Sequence, residues 1–369
     1  MEVREAQETI AVVIGTRPEG IKLCPLVLKM RACGLKFSIL CSGQHREMLS
    51  EVFSAFSVEP DVLLPQMHFG EDLPALLSHL IASLEEKIKR LAPSAVVVQG
   101  DTATAYAAAL VAFLSHIPIV HVEAGLRSGD PFSPFPEESF RRSIATMATL
   151  HIAPTPQAMQ HLWSEGVPKE RVFLLGNTIE DAVRYLLPKR PPRSKTMLLT
   201  LHRREHSEEK MQGIFSAVTE LMRRFPSYSL VYPVHPSPRV RSVAEQAFRN
   251  TPGVRLVPPL GPKEFYPLLA AAPLVLTDSG GIQEEAALLG VKTLVLRETT
   301  EREYELRNGD IRLAGTDPSR IVAMAETLLL RSEKQKKESR KGSPCERICN
   351  VLLALKECGF DMPRPYRGS

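Results

Sequence analysis

Short apolar runs rich in β-branched residues recur along this chain. Each is followed by a longer stretch whose apolar positions return every three or four residues. The runs predict strands at 10–14, 37–41, 95–99, 118–122, 150–153 and 172–175, then at 197–200, 229–234, 254–257, 274–277 and 293–296. The intervening periodicity predicts helices, for example at 73–91, 103–114, 210–224 and 264–271. Strand and helix alternating in this way argue for an α/β architecture, with parallel sheets covered by helices on both faces. The alternation breaks at 186–195, LLPKRPPRSK, a Pro- and Arg-rich stretch that reads as a linker. Two doubly wound, Rossmann-like domains are therefore expected, residues 1–185 and 186–344. A final helix at 345–356, with the tail to 369, is expected to pack back on the first domain. In such sheets the ligand loops leave the carboxyl ends of the strands, and substrate is expected in the cleft between the halves.

The length of 369 residues suits two domains of ordinary size. Lys and Arg number 46 against 42 Asp and Glu, a net charge of +4. That balance is far from a nucleic-acid-binding protein but compatible with a small anionic substrate. The charge run at 331–343, RSEKQKKESRKGS, reads as a solvated surface segment. No apolar run is long enough to span a bilayer, and the opening MEVREAQET is charged and polar. A cytoplasmic location without a membrane partner is the expectation. The six cysteines, at 24, 33, 41, 345, 349 and 358, form no disulfide framework, which suits a reducing compartment. Cys345 and Cys349 lie four apart, but no further ligands stand at suitable spacing, so no metal site is expected.

The chemistry concentrates between Gly100 and Arg141. Asp101 follows one apolar run, Glu123 follows another, and Glu137 sits in a Pro-rich loop. Carboxylates at strand ends suit acid/base work, and their burial is costly without partners. The plainer alternative is that one or two of them cap helices. Five further corners carry candidate binding groups. Gly15 to Lys22 is a turn leading into a helix, where Arg17 and Lys22 stand beside an N-terminus that favours anions. It is not a Walker loop. At 278–286, Ser279, Gly280 and Gly281 open a helix in a form suited to a diphosphate, and Glu285 is positioned to accept from ribose hydroxyls. His202, beside Arg203 and Arg204, suits an anion or a proton transfer, while His235 ends another strand. Gln44 and His45 follow the second strand and can hydrogen-bond a polar ligand. For His235, Gln44 and His45 an ordinary structural hydrogen bond is an equal alternative.

Together these residues resemble the non-hydrolysing UDP-N-acetylglucosamine 2-epimerases. The matching motifs are GTRPEGIK (15–22), GQHREML (43–49), GDT (100–102), HVEAGLRSGD (121–130), SPFPEE (133–138), GNT (176–178), HRRE (202–205), VYPVH (231–235), DSGGIQEEA (278–286) and TTER (299–302). They run in order through nearly the whole chain. Arg17-Pro18-Glu19 stands where hydrolysing relatives carry a different run. The resemblance implies a two-domain fold like that of the GT-B glycosyltransferases and a homodimer. It also implies interconversion of UDP-GlcNAc and UDP-ManNAc with no metal, nicotinamide or other cofactor. By position, Asp101, Glu123 and Glu137 would be the catalytic carboxylates, with His202 a further acid/base or phosphate ligand. Arg17, Ser279, Gly280, Gly281, Glu285 and Arg302 would hold UDP, and Lys22, Arg141 and His235 would complete the pocket. The chain departs from the family at Lys263 and Leu268, where a Gln and a Phe usually face uracil. Phe265 and Tyr266 are the alternative aromatic partners there. Leu201 replaces a usual Gly before His202, and Phe140 replaces a usual Asn before Arg141. Glu71 stands where a neutral or basic side chain would meet a second, activating nucleotide sugar, which implies a weakened activator response.

Overall fold

The computed structural model describes residues 8–43, 46–65, 72–201, 208–234, 237–298, 300, 306, 309–331 and 342–357. The chain divides into two compact units, Met1–Tyr185 together with Lys341–Ser369, and Leu186–Arg340.

Unit 1 is built on seven strands, β1 (Ile10–Ile14), β2 (Phe37–Cys41), β3 (Val62–Leu63), β4 (Ala95–Gln99), β5 (Ile119–Val122), β6 (Leu150–Ala153) and β7 (Val172–Leu174). They are all parallel, in the order β3-β2-β1-β4-β5-β6-β7. β1, β4, β5 and β6 are buried along their whole length, because helices cover both faces of the sheet. The helices are α1 (Arg17–Ala32), α2 (Arg46–Phe56), α3 (Leu73–Leu91), α4 (Ala103–Leu114), α5 (Glu137–Met147), α6 (Pro156–Ser164) and α7 (Ile179–Leu186). The predicted helices at 73–91 and 103–114 are α3 and α4, whose first turns are capped by Asp72 and Thr102. The core on one side of the sheet is made by α3, α4 and the alanine-rich face of α4 in particular, which lets that helix sit close to the strands. Strand order reverses between β1 and β4, so the loops leaving these two strands diverge and open a crevice at the carboxyl edge.

Unit 2 repeats the plan with β8 (Thr196–Thr200), β9 (Ser229–Pro233), β10 (Val254–Val257), β11 (Val275–Thr277), β12 (Thr293–Val295) and β13 (Ile311–Leu313), in the parallel order β10-β9-β8-β11-β12-β13. Its helices are α8 (Glu208–Arg224), α9 (Pro238–Phe248), α10 (Pro262–Ala271), α11 (Gly280–Leu289) and α12 (Pro318–Leu330). The last helix, α13 (Pro344–Glu357), packs on α1 of unit 1. There the Cys345 N–H donates to Asp181 Oδ2 at 2.8 Å, and Arg347 donates to the Leu175 carbonyl. The sheets and their alternating helices make this the α/β fold with two Rossmann-like domains.

Two strands were not expected, β3 and β13, and both are short pieces on sheet edges. One expectation is corrected: Glu137 does not lie in a loop but is the first residue of α5. Glu137 and Glu138 form its acidic first turn, where the helix dipole favours negative charge. Leu201 is buried within the unit 2 core. Among the described residues no helix is long and apolar enough to cross a membrane. Among them, too, no cluster of His, Cys, Asp or Glu is placed to hold a metal ion.

Candidate active site

The carboxyl edge of the unit 1 sheet gathers the charged residues. β4 and β5 are neighbours in register, with Gln99 opposite Val122. Asp101 therefore stands two residues beyond one strand end and Glu123 one residue beyond the adjacent end. Each carboxylate has its own cation. Lys22, reaching across from α1, places Nζ 2.5 Å from Glu123 Oε2, with both side chains only 5% exposed. Gln99 Nε2 donates to the same oxygen. Glu123 has φ +64°, a left-handed conformation that is costly for a residue with a Cβ. Chain geometry and two donors thus converge on one carboxylate.

Asp101 follows Gly100, whose φ of +69° makes the turn out of β4. Arg141 of α5 pairs with Asp101 and also donates to Glu138 Oε2 at 3.2 Å. Glu138 is completely buried. It takes a further bond from Arg142 Nε at 2.9 Å and one from the Ser128 N–H at 3.0 Å. The pair Glu137 and Glu138 therefore divides its labour: Glu138 anchors the helix and the loop before it, and its neighbour Glu137 is only partly buried. The i, i+3 and i, i+4 spacing of Glu138 to Arg141 and Arg142 carried that signal in the sequence.

Beneath the loops lie two buried histidines. The ring of His121, on β5, donates from Nε2 to the Gly100 carbonyl at 2.7 Å. That bond supports the turn that presents Asp101. Burial pushes the pKa of His121 down to about 4, and burial with the neighbouring His121 ring pushes that of His151 down to about 3.

The first corner differs from its expected form. Its backbone donors already have an anion, which the chain supplies itself. Glu19 Oε2 accepts from the Gly15 N–H at 2.9 Å and the Thr16 N–H at 2.6 Å. Its Oε1 accepts from Thr102 Oγ1 at 2.6 Å. Burial drives the pKa of Glu19 up to about 7, against the opposing pull of those hydrogen bonds. The Thr16-x-x-Glu19 spacing is a capping-box pattern, so this role was legible. Gly15 is required sterically: a Cβ there would fall 2.1 Å from Thr104 Oγ1. Arg17 opens α1 and is half-buried.

The second corner is in unit 2. Thr200 Oγ1 donates to Thr277 Oγ1 at 2.7 Å, and Thr277 Oγ1 accepts from the Ser279 N–H at 3.0 Å. Ser279 caps α11. Gly281 has neither positive φ nor a close neighbour, since a Cβ there would meet only Ser279 Oγ at 3.9 Å. The fold does not need a glycine at that position. Glu285 of α11 accepts from Tyr266 OH at 2.8 Å, and Gln283 Oε1 accepts from Thr300 Oγ1 at 3.0 Å. Tyr266 is wholly buried and Phe265 nearly so, while Lys263 is exposed and Leu268 is partly buried. Tyr266 is thus a support for Glu285 and is not a ring free to stack on a base. No spacing in the sequence linked Tyr266 to Glu285. Gln44, His45, Glu71, His202, His235 and Arg302 lie outside the described residues.

The ordered motifs and the two parallel sheets agree with the comparisons. The family model for UDP-N-acetylglucosamine 2-epimerase matches residues 29–353. The chain belongs to the UDP-N-acetylglucosamine 2-epimerase family. The epimerase of Bacillus subtilis (strain 168) is 40% identical over 344 residues, covering 91% of this chain and 90% of that one. The crystal structure of the UDP-GlcNAc 2-epimerase from Neisseria meningitidis bound to UDP-GlcNAc superposes with a TM-score of 0.87 at 32% identity, over 94% of this chain and 100% of that one. The Methanocaldococcus jannaschii UDP-GlcNAc 2-epimerase in complex with UDP-GlcNAc and UDP gives a TM-score of 0.83 at 29% identity, over 94% and 99% of the two chains. UDP-N-acetylglucosamine 2-epimerases are isomerases, and this chain shares their fold along nearly its whole length.

Proposed function

We propose that this protein interconverts UDP-GlcNAc and UDP-ManNAc without releasing the sugar from the nucleotide. The observation that carries the reading is the pairing of Glu123 with Lys22 and of Asp101 with Arg141 on adjacent strand ends. Inversion at C2 requires removal of a proton from one face of the ring and its return to the other. That demands proton-handling groups on both faces, and Asp101, Glu123 and Glu137 are the groups available for it.

In the first step a carboxylate takes the C2 proton. The C2–H electrons form the C1–C2 double bond, and the C1–O bond breaks, leaving UDP with its electron pair. The product is a 2-acetamidoglucal. In the second step a proton reaches C2 on the opposite face while a UDP oxygen attacks C1. The departing diphosphate gains charge, which suits the helix N-terminus at Ser279, Gly280 and Gly281. Glu285 then accepts from the ribose, and Arg17 and Arg302 add positive charge. Lys22 and Arg141 hold the carboxylates, and His202 and His235 complete the set, as do Gln44 and His45 for a polar ligand. No cofactor is part of this chemistry. Retention of the glucal, as opposed to its hydration, is supported by Arg17-Pro18-Glu19 in the first corner. Homodimeric assembly and supply of ManNAc units to a surface polysaccharide rest on the same family likeness.

Chromatography of the products from UDP-GlcNAc tests the reading. UDP-ManNAc at equilibrium with substrate supports it. Stoichiometric UDP and free ManNAc would assign the protein to the hydrolytic branch.

A further inference from the structure

Glu19 is 1% exposed and takes three hydrogen bonds from two different loops. Two of the donors, Gly15 N–H and Thr16 N–H, belong to the turn between β1 and α1. The third, Thr102 Oγ1, belongs to the turn between β4 and α4. β1 and β4 are paired strands at the point where the order of the sheet reverses. Loops at such a point diverge, and among the described residues no backbone–backbone hydrogen bond joins the two turns at the carboxyl ends of this pair. Glu19 closes that gap from one side. From the other side Thr102 also accepts the Ala105 N–H at 3.0 Å, so the same hydroxyl that meets Glu19 caps α4. One buried carboxylate thereby ties together the first turns of two helices.

What each helix start carries gives the tie its meaning. The α1 turn leads to Arg17 and, less than two turns on, to Lys22, the partner of Glu123. The α4 turn begins with Asp101, the partner of Arg141. We propose that Glu19 is a positioning residue for epimerisation: its carboxylate clasps the α1 and α4 turns and so fixes Lys22 and Glu123 relative to Asp101. The inference rests on the functional reading above. It also explains why the first corner has no vacant backbone donors for a phosphate at Gly15 and Thr16. Glu19 occupies them, and the diphosphate falls to the Ser279 corner.

A displaced clasp moves the proton-handling groups against each other, and Arg17 with them, and leaves the Ser279 corner of unit 2 unchanged. The expected signature is a loss in kcat without a matching change in KM. Misplacement by about an ångström costs on the order of 100-fold in rate. Glu19→Ala is expected to lower kcat for UDP-GlcNAc by about that factor, with KM within about threefold. Glu19→Gln keeps an acceptor for the two backbone donors and is expected to recover most of the rate. Thr102→Val breaks the clasp from the other side and keeps the fold testable if Glu19→Ala does not accumulate. The double variant Glu19→Gln with Thr102→Val is expected to lose no more than Thr102→Val alone, because both act on one bond. Unchanged kcat in a folded Glu19→Ala or Thr102→Val chain would overturn the proposal, as would a rise in KM at constant kcat.

Hydrogen–deuterium exchange on the full chain separates this proposal from the functional one. In Thr102→Val or Glu19→Ala, faster exchange is expected in both segments 12–24 and 98–106. If wild type fails to turn over UDP-GlcNAc, the functional reading falls. Exchange confined to the mutated segment would then overturn the clasp on its own.

Discussion

Lys22 Nζ and Glu123 Oε2 stand 2.5 Å apart, and the two side chains come from elements 101 residues apart in sequence. Both are almost fully buried, so the pair is held where water does little to screen it. Removing the cation alone strands a carboxylate in the interior. Lys22→Met is therefore expected to destabilise the protein by about 3–5 kcal/mol. Glu123→Gln strands the Lys22 ammonium in the same way, so a loss of similar size is expected, together with a fall in rate of at least about 100-fold. Thermal melts and steady-state rates on the two variants check this. Stability unchanged in either variant would contradict it.

Two glycines make opposite predictions. A Cβ on residue 15 would collide with Thr104 Oγ1 and Ser42 Oγ, at 2.1 and 2.7 Å. Gly15→Ala should destabilise by about 1–3 kcal/mol, and adding Thr104→Ala should restore part of the loss. Gly281→Ala meets no such neighbour and should leave the melting temperature within a few degrees. Its effect should appear in UDP affinity, measured by calorimetry, because a methyl there stands where the diphosphate approaches the backbone. A Gly281→Ala chain that binds UDP normally would remove the argument for that corner.

Tyr266 offers a narrower test. Its hydroxyl donates to Glu285 at 2.8 Å in the interior of unit 2. Tyr266→Phe keeps the ring and its packing but deprives Glu285 of that donor. A loss of about 1–2 kcal/mol in UDP binding is expected, with the fold intact. Unchanged UDP affinity in Tyr266→Phe would contradict a supporting role for this hydroxyl.

The pH dependence of stability follows from three buried groups. His121 and His151 are held near 4 and 3 in the folded protein, below the ordinary value of 6.5. Below pH 6.5 the unfolded chain takes up protons that the folded chain refuses, so stability falls as pH falls, by up to about 1.4 kcal/mol per pH unit for each histidine. Glu19 works in the opposite direction. Its folded value of about 7 lies above the ordinary 4.5, so its contribution is present below 4.5 and is lost as pH rises through 7. Between pH 4.5 and 6.5 the two histidines outweigh the one carboxyl, and net acid destabilisation is expected. Glu19→Gln removes the opposing contribution and should make that acid loss steeper. Urea titrations across the range measure both slopes, and a shallower slope in Glu19→Gln would contradict the assignment.

Much of this architecture was legible in the pattern of apolar positions, because fully buried parallel strands leave uninterrupted runs and covering helices leave a clear period. The edge strands β3 and β13 escaped notice because two or three residues make no pattern. Glu137 read as a loop residue because Pro134 and Pro136 precede it, although Pro136 serves only as the cap of α5. Asp101 and Glu123 were visible from their positions after apolar runs. Their partners Lys22, Gln99 and Arg141 come from distant segments, and only the strand order and the direction of α1 and α5 bring them together. Tyr266 and Glu285 stand 19 residues apart on two helices, and no local rule connects them.

The central claim is that C2 of the sugar loses and regains its proton at the carboxylates of unit 1. Proton NMR of UDP-GlcNAc with the enzyme in deuterated water reads this directly. The expected result is UDP-ManNAc carrying deuterium at C2, with that labelling lost in Glu123→Gln. UDP-ManNAc that keeps its original C2 proton, or labelling that persists undiminished in Glu123→Gln, would contradict it.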